Sequence, residues 1–130
     1  MHINLESDYA ARIVYCLTKA EDRLDAQSIA DETCVSLRFT LKIMRKLVAA
    51  GIIRSFKGAK GGYQLAKKPE TITLRQVIEA VEGPYRFSRC LDGEYDCSCS
   101  AVMGCPFHAV FDDVTKTVID KLDAVTFADL

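Results

Sequence analysis

Between Ala26 and Ala66 the sequence changes its period from helix to strand, and few folds accommodate the order in which it does so. Residues 26–32 (AQSIADE) read as a short helix, and Thr33-Cys34-Val35 as a turn. Ser36 can cap a second helix over residues 37–50, with a core stripe of Leu37, Leu41, Met44, Leu47 and Val48 flanked by Ile43. Gly51 ends that helix in the position that favours a left-handed backbone. Ile52 to Phe56 then reads as a strand and Tyr63 to Ala66 as its partner. Lys57-Gly58-Ala59-Lys60-Gly61-Gly62 forms the loop between them. Two short helices about a three-residue turn are a helix-turn-helix, and a hairpin directly after it is a wing.

The flanking segments fit that reading. Residues 8–19 carry Ala10, Ile13, Val14 and Leu17 at i, i+3, i+4 and i+7, an amphipathic helix for which Ser7 is a candidate N-cap. Thr73-Leu74-Arg75-Gln76 is a capping box that opens a helix to about Glu82, and Gly83-Pro84 stops it. Residues 85–104 read as an irregular loop. From Cys105 the pattern is helical again, with Phe107, Val110, Phe111, Val114, Val118, Leu122 and Val125 in one stripe. That stripe is longer than one small winged-helix core needs, so we read it as a dimerisation helix; the alternative is a helix folded back on its own domain. The expected fold is mainly α with a small β-hairpin wing: a winged helix-turn-helix plus a long C-terminal dimerisation helix. The expected division is residues 1–83 for DNA binding, 84–104 for a cluster-binding loop and 105–130 for dimerisation.

Charge is distributed as unevenly as period. Net charge is −1, yet Thr33 to Pro69 holds nine basic residues and no acidic one. Such a split is the electrostatic footprint of a nucleic-acid-binding face. In a helix-turn-helix the N-terminal part of the second helix meets base edges in the major groove. Here those residues are Ser36, Arg38, Phe39, Thr40 and Lys42, with Arg45 and Lys46 a turn later facing phosphates. Lys57 and Lys60 belong to the wing, where Gly61 and Gly62 let the backbone approach a ligand. The loop is no nucleotide-binding P-loop, because it lacks the Gly-Lys-Ser/Thr ending and opens no helix.

The remaining peculiarity is C-x6-C-x-C-x5-C-x2-H: Cys90, Cys97, Cys99, Cys105 and His108. No run of about 18 apolar residues is present, so no membrane span is expected. Glu6 and Asp8 in an N-terminus without a basic region argue against a signal peptide. A cytoplasmic, reducing setting follows, in which disulfides are uncommon. Structural zinc prefers two close ligand pairs, and these gaps of six, one and five residues suit an iron–sulfur cluster better. Pro106 suits the first helical position, placing Cys105 at the cap and His108 three residues on. Cys16 and Cys34 stand alone in apolar contexts and read as small hydrophobes. With two histidines and no Ser/His/Asp set, the chain does not read as an enzyme.

Nearly the whole chain resembles the winged-helix iron–sulfur regulators of the IscR/NsrR type. The likeness is carried by MHINLESDYAARIVYCL, SLRFTLKIMRKLVAAGIIRSFKGAKGGYQL, TLRQVIEAVEG and the C-x5-C-x2-H ending. It implies a homodimer with a long crossover helix, a 2Fe–2S or 4Fe–4S cluster near the dimer interface, and a palindromic double-stranded DNA operator under repression. The family's three cysteine ligands fall on Cys90, Cys99 and Cys105. The first gap is wider than usual in the family, which leaves the middle ligand open between Cys97 and Cys99. The fourth is open between His108, matching the assembly repressor, and Asp8, matching the acidic residue that the nitric-oxide branch contributes from the other subunit. Two alternatives lie outside iron: a thiol- or zinc-based regulator, and a winged-helix protein-interaction module in cluster assembly.

Overall fold

Asn4, rather than Ser7, starts the first helix: its side chain accepts the Ser7 backbone N–H at 2.9 Å, and α1 runs Leu5–Lys19 in the computed structural model, which describes residues 2–98 and 104–130. Ser7 is instead fully buried one turn in. α2 (Ala26–Thr33) is capped by Asp25 and α3 (Leu37–Ala49) by Ser36, each through a side-chain oxygen on an N3 backbone N–H. The turn between them bends through Cys34, whose φ of 55° is left-handed. Gly51 ends α3 with φ 69°, the conformation for which glycine carries no Cβ penalty.

The wing is a two-stranded antiparallel hairpin, β1 (Ile53–Phe56) and β2 (Gly62–Leu65), in the register Ile53–Leu65 to Phe56–Gly62. A short bridge between Leu24 and Tyr63 extends it onto the α1–α2 loop, through backbone bonds of 3.1 and 2.8 Å. A 3-10 turn at Pro69–Thr71 leads to α4 (Leu74–Glu82), which has both bonds of the Thr73–Gln76 capping box. α5 (Pro106–Asp123) begins with Pro106 at its first position and Cys105 at its cap. The architecture is that of a winged helix with an added helix, as the periodicity predicts.

The core joins all of these except α5. Ala10, Ile13 and Val14 of α1, Ile29 of α2, Ile43, Met44 and Leu47 of α3, and Val77 of α4 pack with Ile52, Ile53 and Ile72. The α3 stripe is rotated from the expected one. Thr40, Ile43, Met44 and Leu47 are buried, while Leu37 and Val48 are exposed. Packing of α1, α2 and α4 against α3 buries the side that carries Thr40, Ile43, Met44 and Leu47 and leaves Leu37 and Val48 outside it. Phe127, which the periodicity does not single out, is 1% exposed. The chain after α5 turns back so that Phe127 N–H bonds Ile72 O at 3.0 Å and Val125 O accepts Leu74 N–H at 2.9 Å. Residues at the end of the segment read as 105–130 thus complete the core of the first one. An aromatic ring of this size contributes about 1.5–3 kcal/mol on burial.

Candidate nucleic-acid interface and cysteine segment

With Ile43, Met44 and Leu47 turned inward, helical geometry turns Arg38, Lys42 and Arg45 outward at i, i+4 and i+7. All three are exposed, and they form one cationic stripe along α3. Phe39, 42% exposed, stands edge-on to Tyr9 of α1 with ring centroids 6.2 Å apart. Ser36 is exposed, and its hydroxyl is spent on the helix cap. Thr40 is a correction. It is fully buried, its Oγ1 has no hydrogen-bond partner among the described residues, and it offers nothing to a groove. Lys46 is a second correction. Its ammonium donates to Val81 O at 3.0 Å and pairs with Glu6 at 2.5 Å, so it ties α3 to α4 and α1 rather than reaching out for phosphate.

Lys57 and Lys60 are exposed on the wing loop. Gly61 and Gly62 are needed by the chain itself. A Cβ on Gly61 would sit 2.4 Å from Phe56 O, and one on Gly62 2.8 Å from Leu24 O, with φ there +142°. The close approach these glycines permit is therefore of backbone to backbone, within the wing at Gly61 and between the wing and the α1–α2 loop at Gly62. Sequence reasoning missed Arg23. Its guanidinium lies over the Phe56 ring, 3.3 Å from the centroid, and donates to Lys60 O at 3.4 Å. It adds a cation to the base of the wing, beside an open cleft of about 530 Å³ lined by Asp22, Arg23, Lys60, Gly61 and Gln64. Nothing in the sequence marks it, because it lies in a polar stretch that also holds Glu21, Asp22 and Asp25.

Acidic side chains frame this face. Glu6, in the first turn of α1, pairs with both Lys42 and Lys46, and the two lysines hold its carboxyl below the usual range. Asp8 pairs with Arg12 of its own helix at 2.7 Å. Ser7 O–H and Asn4 N–H both donate to Glu82 at the end of α4, the latter at 3.1 Å.

The cysteine segment begins immediately after α4. A 3-10 turn at Arg89–Leu91 carries Cys90, whose thiol lies 3.3 Å from Ser88 Oγ. The segment is tied to the helices on both sides. Tyr85 N–H donates to Glu79 at 3.0 Å, Phe87 N–H to Thr115 Oγ1 of α5 at 3.1 Å, and the Phe87 and Phe111 rings pack at 5.2 Å. Arg75 of α4 reaches Asp123 of α5 at 2.8 Å. Cys90, Cys97 and Cys105 are partly buried free thiols, and Cys105 makes no side-chain cap bond at the start of α5. His108, also partly buried, follows in the first turn. Cys99 lies outside the described residues. Among the described residues no three His, Cys, Asp or Glu side chains converge to hold a metal ion. The donors nevertheless suit a thiolate-held cluster in kind: soft sulfurs free of disulfides and one imidazole, half-shielded from water. The two isolated cysteines differ. Cys34 is exposed, whereas burial, aided by a 3.1 Å contact to Glu32, pushes the Cys16 thiol up to about 12.

Sequence and fold comparisons agree with this geometry. Residues 3–130 match the Rrf2 family model, described as an iron-dependent transcriptional regulator. The HTH-type transcriptional regulator NsrR of Bacillus licheniformis is 28% identical over 133 residues, covering 100% of this chain and 92% of that one. The structure of T. potens IscR superposes with a TM-score of 0.75 at 25% identity, over 99% of this chain and 85% of that one. CymR, the global cysteine regulator of B. subtilis, superposes with a TM-score of 0.71 at 27% identity, over 99% and 95%. These relatives are regulators, not enzymes. With a winged helix-turn-helix and a match across nearly its full length, the chain belongs to the Rrf2 family of DNA-binding transcriptional regulators.

Proposed function

We propose that the chain is a dimeric, sequence-specific repressor whose DNA affinity is set by an iron–sulfur cluster, 2Fe–2S or 4Fe–4S, on the 84–104 loop and the start of α5. The observation that carries this is the placement of Cys90, Cys97 and Cys105. These half-buried cysteines, free of disulfides, lie on the one segment that links the end of α4 to α5. Cys90, one of Cys97 and Cys99, and Cys105 would hold the cluster, with His108 or the partner subunit's Asp8 as fourth ligand. When bound, the cluster supplies an iron centre that changes charge and ligation with iron supply, oxidant or nitric oxide. The N-terminus of α5 beside Cys105 favours the negative charge of thiolates.

The chain's own residues supply the output. Arg38, Phe39, Lys42 and Arg45 would enter a major-groove half-site, with Ser36 fixing the helix start. Lys57, Lys60, Gly61 and Gly62 would set the wing against the flanking backbone. Phe107 and Val110 of α5 are 65% and 58% exposed, and Thr115 is the one buried residue of this helix. A second copy covers such a face, and two copies read a palindromic site with half-sites about one helical turn apart or a multiple of that. Ties from the loop to Glu79 and Thr115 let a change in the loop shift α5, and with it the spacing of two reading heads. Coupling of this kind is typically worth about 1–3 kcal/mol.

A second reading has its own support. CymR is a cysteine regulator, and the cysteines among the described residues are free thiols, so a thiol- or zinc-based device would use the same output. Absorbance and Mössbauer spectra of anaerobically purified protein separate the two. A brown protein whose chromophore is lost in Cys90→Ser and Cys105→Ser supports the cluster. A colourless protein binding zinc, or forming a reversible disulfide, supports the other.

A further inference from the structure

We propose that Glu6 is a built-in counter-charge on the reading face, which lowers affinity for DNA of any sequence and so sharpens discrimination. This rests on the reading that α3 enters the groove, and it concerns a residue outside the acid-free window. Lys42 is exposed in the middle of the Arg38–Lys42–Arg45 stripe, and its ammonium is in contact with one oxygen of Glu6. The other oxygen holds Lys46 at 2.5 Å. Together the two lysines bring +2 to the edge of α3, and Glu6 returns it to +1.

What distinguishes Glu6 from an ordinary surface glutamate is that two lysines hold its carboxylate at once, one on each oxygen. Its helix is clamped at that very turn. Asn4 N–H and Ser7 O–H both donate to Glu82 of α4, and Lys46 is tied at its other side to Val81 O, 3.0 Å away. Glu6 also lies in the first turn of α1, where the helix dipole favours a carboxylate. Its side chain is 23% exposed, against 53% for Lys42, so the carboxylate sits just inside the lysine it opposes. Any phosphate that takes Lys42 must compete with a fixed carboxylate and remain near it.

Non-specific binding is made almost wholly of such phosphate contacts, and each neutralised phosphate contributes about 0.9 to the slope of log K against log salt. On the operator Lys42 meets a base edge, which bears only partial charge and which a nearby carboxylate repels less than it repels a phosphate; on other sequences the partner of Lys42 is a phosphate. A fixed counter-charge therefore costs more on the wrong sequence than on the right one. The chain gains selectivity by giving up affinity, a form of discrimination by repulsion.

The test compares wild type, Glu6→Gln and Lys42→Ala on unrelated duplex DNA and on an operator selected from a random pool, across a salt series. Asp120→Asn on α5 serves as a control for net charge alone. For Glu6→Gln we expect about threefold to tenfold tighter binding to unrelated DNA at low salt and a slope steeper by about 0.9. The gain on operator should be smaller, so the ratio of specific to non-specific affinity falls. Asp120→Asn should leave both unchanged. Unchanged or weaker binding in Glu6→Gln, with Lys42→Ala still weakening it, overturns the counter-charge: Glu6 then only positions Lys42. If Lys42→Ala has no effect on either DNA, α3 does not dock as read, and the inference falls with that reading. Circular dichroism and urea unfolding of Glu6→Gln guard against misfolding. If that variant is unstable, Glu6→Asp keeps the charge and must behave as wild type; should it tighten unrelated-DNA binding as Glu6→Gln does, charge is not the cause.

Discussion

The reading head and the α5 arm are built on opposite principles. In the head, four helices and a hairpin share one core, and side chains such as Ile13, Ile43 and Leu47 have no exposed surface. The α5 helix, at 18 residues, is the longest, yet Thr115 is its one buried residue. An isolated amphipathic helix is stabilised mainly by what covers its apolar face. The head closes its core with Phe127 from beyond α5, whereas the α5 helix itself leaves Phe107 and Val110 exposed. Between them runs the cysteine segment, held by a few bonds at each end. The closed half carries the helix-turn-helix, and the open half adjoins the cysteine segment.

That contrast can be broken by mutation. Ile43→Ala should cost about 2–5 kcal/mol in urea unfolding, because it opens a cavity in a closed core. Phe107→Ala, removing a larger side chain, should cost the isolated subunit less than about 0.5 kcal/mol, as expected of an exposed site. If the two variants lose similar stability at dilutions where the protein is monomeric, the division is wrong. A charge on the arm sharpens the point: Val110→Glu should shift sedimentation toward monomer while circular dichroism stays unchanged.

Cysteine chemistry should divide along the same line. Cys16 belongs to the head, and its raised pKa keeps it a thiol in the folded state. The unfolded chain loses that proton near pH 8.5, the folded chain only at about 12. Its contribution to stability is thus fully present below about pH 8.5 and falls by up to about 1.4 kcal/mol per pH unit above it. Cys16→Ala should flatten this alkaline decline, measured by urea unfolding from pH 7 to 10. In the native protein, alkylation should label Cys34 and spare Cys16. An effect of opposite sign is expected of Thr40→Val. Replacing a buried, unpartnered hydroxyl by a methyl of similar shape should raise stability by about 1 kcal/mol and leave DNA affinity unchanged. Loss of affinity there would return Thr40 to the interface.

The fold was legible because its punctuation is local. Ser36, Gly51 and the Thr73–Gln76 box act within one turn of where they stand, and they ended or began helices as read. The errors arise where a distant segment decides. Ser7 looks like a cap until Glu82, 75 residues away, accepts its hydroxyl proton. Thr40 looks like a groove contact until α3 is rotated by packing against α1 and α4. Lys46 looks like a phosphate ligand until Val81 O and Glu6 claim it. Phe127 gives no periodic signal, since it is buried by a chain reversal rather than by a helix face. The basic window marks the exposed cations of α3 and the wing but hides Arg23 and Glu6, which reach that surface from segments rich in acid. The cysteine spacing marks a candidate site without arranging it, because thiols of an irregular loop take their geometry from whatever they bind.

The central claim is that the state of the cysteine segment sets the affinity of the reading head. The most direct measurement is the affinity of the full-length protein for a palindromic operator selected from random DNA, at one fixed salt concentration. Anaerobically purified, iron-loaded protein would be compared with the same preparation after chelator treatment. The account predicts that the two differ by about fivefold to 150-fold, and that Cys105→Ser locks the protein in the chelated value. Equal affinities, with iron shown to be present before and absent after treatment, would contradict it.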